Sequence, residues 1–192
     1  MRKVILVHGW DGTPNTGWFP WLQRELEARG FVVVAPQLPD TDAPRIATWV
    51  PALAEAIGTV GEHMYLVGHS MGCQAILRYL EALPAGQKVG GAIFVAGFFR
   101  PLTGLETDEE REIDAEWANT PIDTDKVRSH LPESFALFSD DDPWVPAENA
   151  KDFRDRLGSE TLIQHGQRHF NEGAGFTTLP IVLEKLLEMA AS

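Results

Sequence analysis

The chain has 192 residues, 44% hydrophobic and 23% charged, with a net charge of −12 and one cysteine. That length suits one domain with a substantial core, expected over residues 1–192. The negative charge argues against nucleic acid or an anionic membrane surface as partner. No apolar run is long enough for a transmembrane helix. The lone Cys73 cannot form an internal disulfide, which fits a reducing compartment.

Val4 to Val7 is a continuous apolar run, as expected of a central parallel strand. His8-Gly9-Trp10-Asp11 ends it too early for a signal peptide, so a cytoplasmic location is expected. Residues 11–15 are rich in turn formers. Trp18 to Arg29 reads as a helix closed by Gly30, and Phe31 to Ala35 as a second buried strand ended by Pro36. A helix is expected over Ile46 to Ile57, with Pro51 either cutting into it or lying in a first turn. Tyr65 to Val67 is a short buried strand, and from Cys73 to about Leu83 the pattern is helical, with Ile76, Leu77 and Leu80 on one face. Val89 to Ala96 is a fourth strand, Ser134 to Ser139 a fifth and Glu160 to Gln164 a sixth. Helices are expected over Ala147 to Leu157 and Leu179 to Ala190. Between the fourth and fifth strands lies an irregular stretch, Gly97 to Pro132, with the acidic run Glu106 to Glu112. It reads as a solvated helix or loop, the alternative being a mobile lid. Strands alternating with helices throughout predict a parallel α/β sheet.

The segment between the third strand and its helix is Gly68-His69-Ser70-Met71-Gly72, a G-x-S-x-G pentapeptide. Strand, tight turn and helix are the context in which this pattern makes a nucleophile elbow. The serine must sit at a strained tip to clear both flanking elements, and side chains two residues to either side would collide. The Met71 N–H would then lie at a helix N-terminus, where a developing oxyanion is stabilised. The alternative is an ordinary strand–helix turn with a capping serine.

Ligands in open α/β sheets gather at the C-terminal strand ends. The first strand ends at His8-Gly9-Trp10, the third at Ser70, the fifth at Asp140-Asp141-Asp142, and the sixth leads to His165 and His169. Ser, Asp and His therefore follow one another in the α/β-hydrolase order. A serine hydroxyl needs a neighbouring imidazole to take its proton, and a carboxylate to orient that imidazole. His165 directly follows its strand, where packing could claim its ring, whereas His169 lies on the loop beyond. All three aspartates could simply shape a turn.

Six segments resemble the small serine hydrolases of the YdeN and retinoblastoma-binding protein nine type, within the α/β-hydrolase superfamily. They are Val4 to Trp10, Trp18 to Leu22, Pro36 to Pro39, Val67 to Gly72, Asp141 to Pro146 and His169 to Asn171. The resemblance implies a three-layer αβα sandwich with a mainly parallel six-stranded sheet, minimal or no cap domain, and none of the two antiparallel strands that open larger members. It implies Ser70 as nucleophile and His169 as base. It picks Asp142 as acid, with Asp141 as runner-up, and the Trp10 N–H as second oxyanion donor. The residue before this histidine is usually Gly in the family and is Arg168 here.

Trp10, Trp18 and Trp144 fall in loops at one end of the sheet, where they either wall an acyl pocket or pack the loops down. His69 is expected to be structural with its ring turned from the serine, His8 to brace the oxyanion loop, His63 and His130 to be surface or loop residues, and Cys73 to be buried packing. No metal-binding or nucleotide-binding spacing occurs, so no cofactor is expected. The expected activity is hydrolysis of an ester, thioester or amide of a small apolar acyl group through an acyl-enzyme. A protein-interaction module on a hydrolase scaffold is the alternative. The fold also supports C–C bond hydrolysis and cofactor-free lyase chemistry.

Overall fold

The computed structural model describes residues 1–191. Six strands form one sheet in the order β2-β1-β3-β4-β5-β6, every neighbouring pair parallel. They are β1 (Lys3–Val7), β2 (Val32–Val34), β3 (Met64–His69), β4 (Gly91–Val95), β5 (Ser134–Ser139) and β6 (Glu160–Gln164). Seven helices connect or follow them: α1 (Phe19–Glu27), α2 (Ile46–Ile57), α3 (Met71–Ala82), α4 (Asp108–Asn119), α5 (Thr124–His130), α6 (Asn149–Leu157) and α7 (Pro180–Met189). Helices α1 and α7 pack together on one face, while α2, α3, α5 and α6 form a row on the other. This is the three-layer α/β arrangement expected from the alternating pattern. No helix among the described residues is long and apolar enough to cross a membrane.

Strands β1, β3, β4 and β5 are covered on both faces, so nearly every side chain in them is buried. The expectation of a buried second strand fails. β2 is three residues long at the sheet edge, and Val32 is 41% exposed. A parallel strand is buried only if both faces are covered, and an apolar run cannot report its own position in the sheet. β6, at the other edge, exposes Leu162 and Ile163 for the same reason.

Pro51 lies inside α2 rather than in its first turn. It removes one helical hydrogen bond and crowds the preceding turn, a cost of about 3 kcal/mol in an isolated helix. Burial of Trp49, Leu53 and Ile57 along one face of α2 opposes that cost, at roughly 1.5–3 kcal/mol for each large side chain. The stretch between β4 and β5 holds two ordered helices. A Thr107–Glu110 capping box starts α4. Trp117 is fully buried edge-on to Trp49 and donates its indole N–H to the Pro44 carbonyl. Arg78 of α3 donates to the carbonyls of Trp117 and Thr120, at the C-terminal end of α4 where a cation is favoured. Arg45 pairs with Glu116.

The chain leaves β1 for β2 on one side and returns to β3 on the other, which puts the topological switch point between β1 and β3. The loop after β1 and the elbow after β3 therefore diverge around a crevice at their C-terminal ends.

Candidate active site

Ser70 sits between β3 and α3 with φ 52° and ψ −120°. A non-glycine residue there carries roughly 1–3 kcal/mol of strain. The surroundings hold it: its N–H donates to Val95 at 2.8 Å, and its carbonyl accepts from Cys73 at 2.9 Å. The flanking glycines are required by close approach. A Cβ on Gly72 would lie 2.2 Å from the Val7 carbonyl oxygen, and one on Gly68 would lie 2.9 Å from the Cys73 nitrogen.

The three consecutive aspartates meet three different partners. Asp140 accepts from the exposed His165 Nδ1 at 2.6 Å and from the Gly166 N–H at 2.9 Å. Asp141 accepts from Ser139 Oγ and from the Arg168 N–H, each at 2.6 Å. Asp142 accepts from the Trp144 and Val145 N–H groups on Oδ1, and from His169 Nδ1 on Oδ2 at 2.7 Å. Only the last pair is buried, with side chains 8% and 2% exposed. Nδ1–H donation to the carboxylate leaves Nε2 of a neutral His169 as the basic nitrogen. Ser70 and His169 line the same cavity, though no hydrogen bond joins their side chains in this structure.

His69 and Trp144 flank the His169 ring, at centroid distances of 4.7 and 5.0 Å. His69 Nε2–H donates to the His169 carbonyl at 2.8 Å. Burial, helped by the His169 ring, pushes the His69 pKa down to about 3, so the ring stays neutral. His8 accepts from the Leu38 N–H on Nε2 and donates from Nδ1 to the Gly9 carbonyl, tying the loop after β1 to the one after β2. Burial lowers its pKa also.

Two histidines depart from expectation. His165 does not pack at the end of β6; just past this edge strand its side chain is almost fully exposed and meets Asp140 instead. His130 is not a surface residue. It is buried at the end of α5, with Nδ1 2.7 Å from the Gln87 carbonyl. His63 is exposed. Cys73 is fully buried against Val95, and burial pushes its thiol pKa far up, so it packs as a small apolar residue.

Among the described residues, neither the Trp10 N–H nor the Met71 N–H has an acceptor within the chain. Trp10 lines the cavity from the loop after β1, and Met71 is the first residue of α3, directly after Ser70, which also lines it. The cavity measures about 400 Å³. Trp10, Trp18 and Trp144 all line it, and they also pack: Trp10 donates to Asp42, and Trp18 donates to the Phe170 carbonyl at 2.9 Å and stacks on Phe19. Leu102, Leu105 and Glu110, from the segment between β4 and β5, close another side. Nothing in their local pattern marks them as site residues. The formally charged residues of the lining, Asp11, Glu110 and Glu172, are all acidic. Burial, together with the charges of Asp42 and Glu110, raises the pKa of Asp11.

A six-stranded parallel sheet with a G-x-S-x-G elbow at its switch point defines the α/β-hydrolase class. A family model described as "Serine hydrolase" matches residues 4–188, and the chain belongs to this family. It is 34% identical to YdeN of Bacillus subtilis (strain 168) over 186 residues, 96% of this chain and 94% of that one. The crystal structure of the ydeN gene product superposes with a TM-score of 0.92 at 32% identity, over all of both chains. Serine hydrolase RBBP9 of Rattus norvegicus is 26% identical over 191 residues, 98% of this chain and 97% of its own. The fold alone is shared with Est1E of Butyrivibrio proteoclasticus, solved with ferulic acid bound. Its TM-score is 0.77 at 16% identity, covering 100% of this chain and 90% of that one.

Proposed function

We propose that this serine hydrolase is a single-domain carboxylesterase-like enzyme that cleaves a small ester, thioester or amide through an acyl-enzyme. Ser70 Oγ attacks the carbonyl carbon while His169 Nε2 takes the hydroxyl proton. The Trp10 and Met71 N–H groups hold the oxyanion, each donor contributing about 3–4 kcal/mol to the transition state. Collapse breaks the bond to the leaving group, which receives the proton from His169. Water, deprotonated by His169, then attacks the acyl-enzyme and releases the acid, restoring Ser70. Asp142 holds the imidazole tautomer and stabilises the imidazolium.

The observation that carries this reading is the buried 2.7 Å Asp142–His169 hydrogen bond, whose histidine lines the same cavity as Ser70. The strain at Ser70 supports it, as does the pair of unpartnered N–H groups. A cavity of about 400 Å³ walled by tryptophans suits a small apolar acyl group. Its acidic lining disfavours an anionic one. The test is labelling with a fluorophosphonate probe. We expect the wild type to be labelled, and Ser70→Ala and His169→Ala not to be. A wild type that resists labelling, or a Ser70→Ala variant that labels equally, would show the reading to be wrong.

A further inference from the structure

We propose that His69, the second residue of the elbow pentapeptide, is a positioning residue that fixes the backbone of His169 against the strand carrying Ser70. This rests on the reading of Ser70 and His169 given above.

The histidine loop needs external support. Arg168 and Phe170, on either side of His169, both have positive φ, 48° and 52°, a conformation that side chains with a Cβ resist. Groups elsewhere hold each peptide in turn. Asp140 takes the Gly166 N–H, Ser139 Oγ takes the Gln167 N–H, and Asp141 takes the Arg168 N–H. Trp18 donates to the Phe170 carbonyl. For the His169 backbone, the one hydrogen bond among the described residues comes from His69 Nε2, at 2.8 Å.

The origin of that donor matters. Asp140, Asp141 and Ser139 all belong to β5 or the turn after it, whereas His69 is the last residue of β3, directly bonded to Ser70. Its backbone is registered against Val95 in the sheet. The separation of Ser70 from the base is therefore set through one peptide bond and one hydrogen bond. The titratable groups facing the His69 ring are His169, Asp142 and His8, and its own pKa lies far below neutrality. Its charge therefore stays constant across the neutral range.

The test compares full-length wild type with His69→Gln, which keeps a donor, His69→Phe, which keeps a ring without one, and His169→Ala. Hydrolysis of p-nitrophenyl acetate is followed from about pH 5 to 9, alongside thermal unfolding. We expect His69→Phe to lose about 10- to 100-fold in kcat with little change in KM. The acidic limb of kcat/KM should move to lower pH as the imidazolium loses its fixed carboxylate partner. His69→Gln should recover most of kcat and the wild-type limb. If His69→Phe fails to fold, His69→Met takes its place as the variant without a donor. An unchanged kcat and limb in the donor-free variant, or equal losses with and without a donor, overturn the proposal. They leave the reading of the site standing if His169→Ala is inactive. Wild-type turnover no faster than that of His169→Ala overturns both.

Discussion

Asp142 and His169 are 27 positions apart in sequence, yet they meet at 2.7 Å in a pocket that almost excludes water. Two backbone N–H groups, from Trp144 and Val145, hold the other carboxylate oxygen. The carboxylate is thus immobilised before the imidazole meets it. On the proposed mechanism, Asp142→Asn should lower kcat by about 10⁴-fold through loss of the correct tautomer. Asp140→Asn, whose partner is the exposed His165, should leave kcat nearly unchanged. Steady-state kinetics of the two variants checks this, and equal losses would refute the assignment.

Acid sensitivity should carry the mark of His69. Its folded pKa is pushed down to about 3, against 6.5 for the unconstrained ring. Between those values the unfolded chain binds a proton that the native chain does not. Stability therefore falls as pH drops through that window. His8, lowered by burial, acts in the same direction. The exposed His165–Asp140 pair acts oppositely above the carboxylate range, because its histidine pKa is raised by the aspartate. The urea midpoint should drop between pH 7 and 4.5, and drop less in His69→Gln, which has nothing to titrate there. Parallel curves for the two proteins would contradict this.

Arg168 occupies left-handed backbone where the related family usually has glycine. Glycine would relieve about 1–2 kcal/mol of steric strain, against roughly 0.4–1 kcal/mol of added freedom in the unfolded chain. Arg168→Gly should melt at or above the wild-type temperature. Arg168→Val, with a branched Cβ in that conformation, should melt well below it. Differential scanning calorimetry of the pair decides the matter.

Charge at the pocket should set substrate preference. With Asp11, Glu110 and Glu172 on the lining, a butyrate ester should be cleaved with kcat/KM roughly tenfold or more above that of the matching hemisuccinate. The gap should narrow with added salt and in Glu110→Gln. A salt-independent preference would mean that shape, not charge, discriminates.

Helix α4 is an anchored part of the fold. Trp117, fully buried and hydrogen-bonded to the Pro44 carbonyl, should cost about 3–5 kcal/mol when replaced by alanine. Denaturant unfolding measures this. A loss below 1 kcal/mol would restore the idea of a loosely held lid.

The sequence alone determined the local features of this protein. Apolar runs bounded by turn residues delimited β5 and β6 to the residue, and the G-x-S-x-G between an apolar run and a helical pattern marked the elbow. These are short-range signals, because a strand, a turn and a helix start are each specified within a few residues. Tertiary structure decided the rest. Asp140, Asp141 and Asp142 share one sequence neighbourhood, and only the path of the loop after β6 determines that Asp142 meets His169 while Asp140 meets His165. The edge position of β2, the burial of His130, and the placing of Leu102 and Glu110 at the cavity depend on which elements pack above them. Burial is a property of neighbours distant in the chain, so no local pattern carries it.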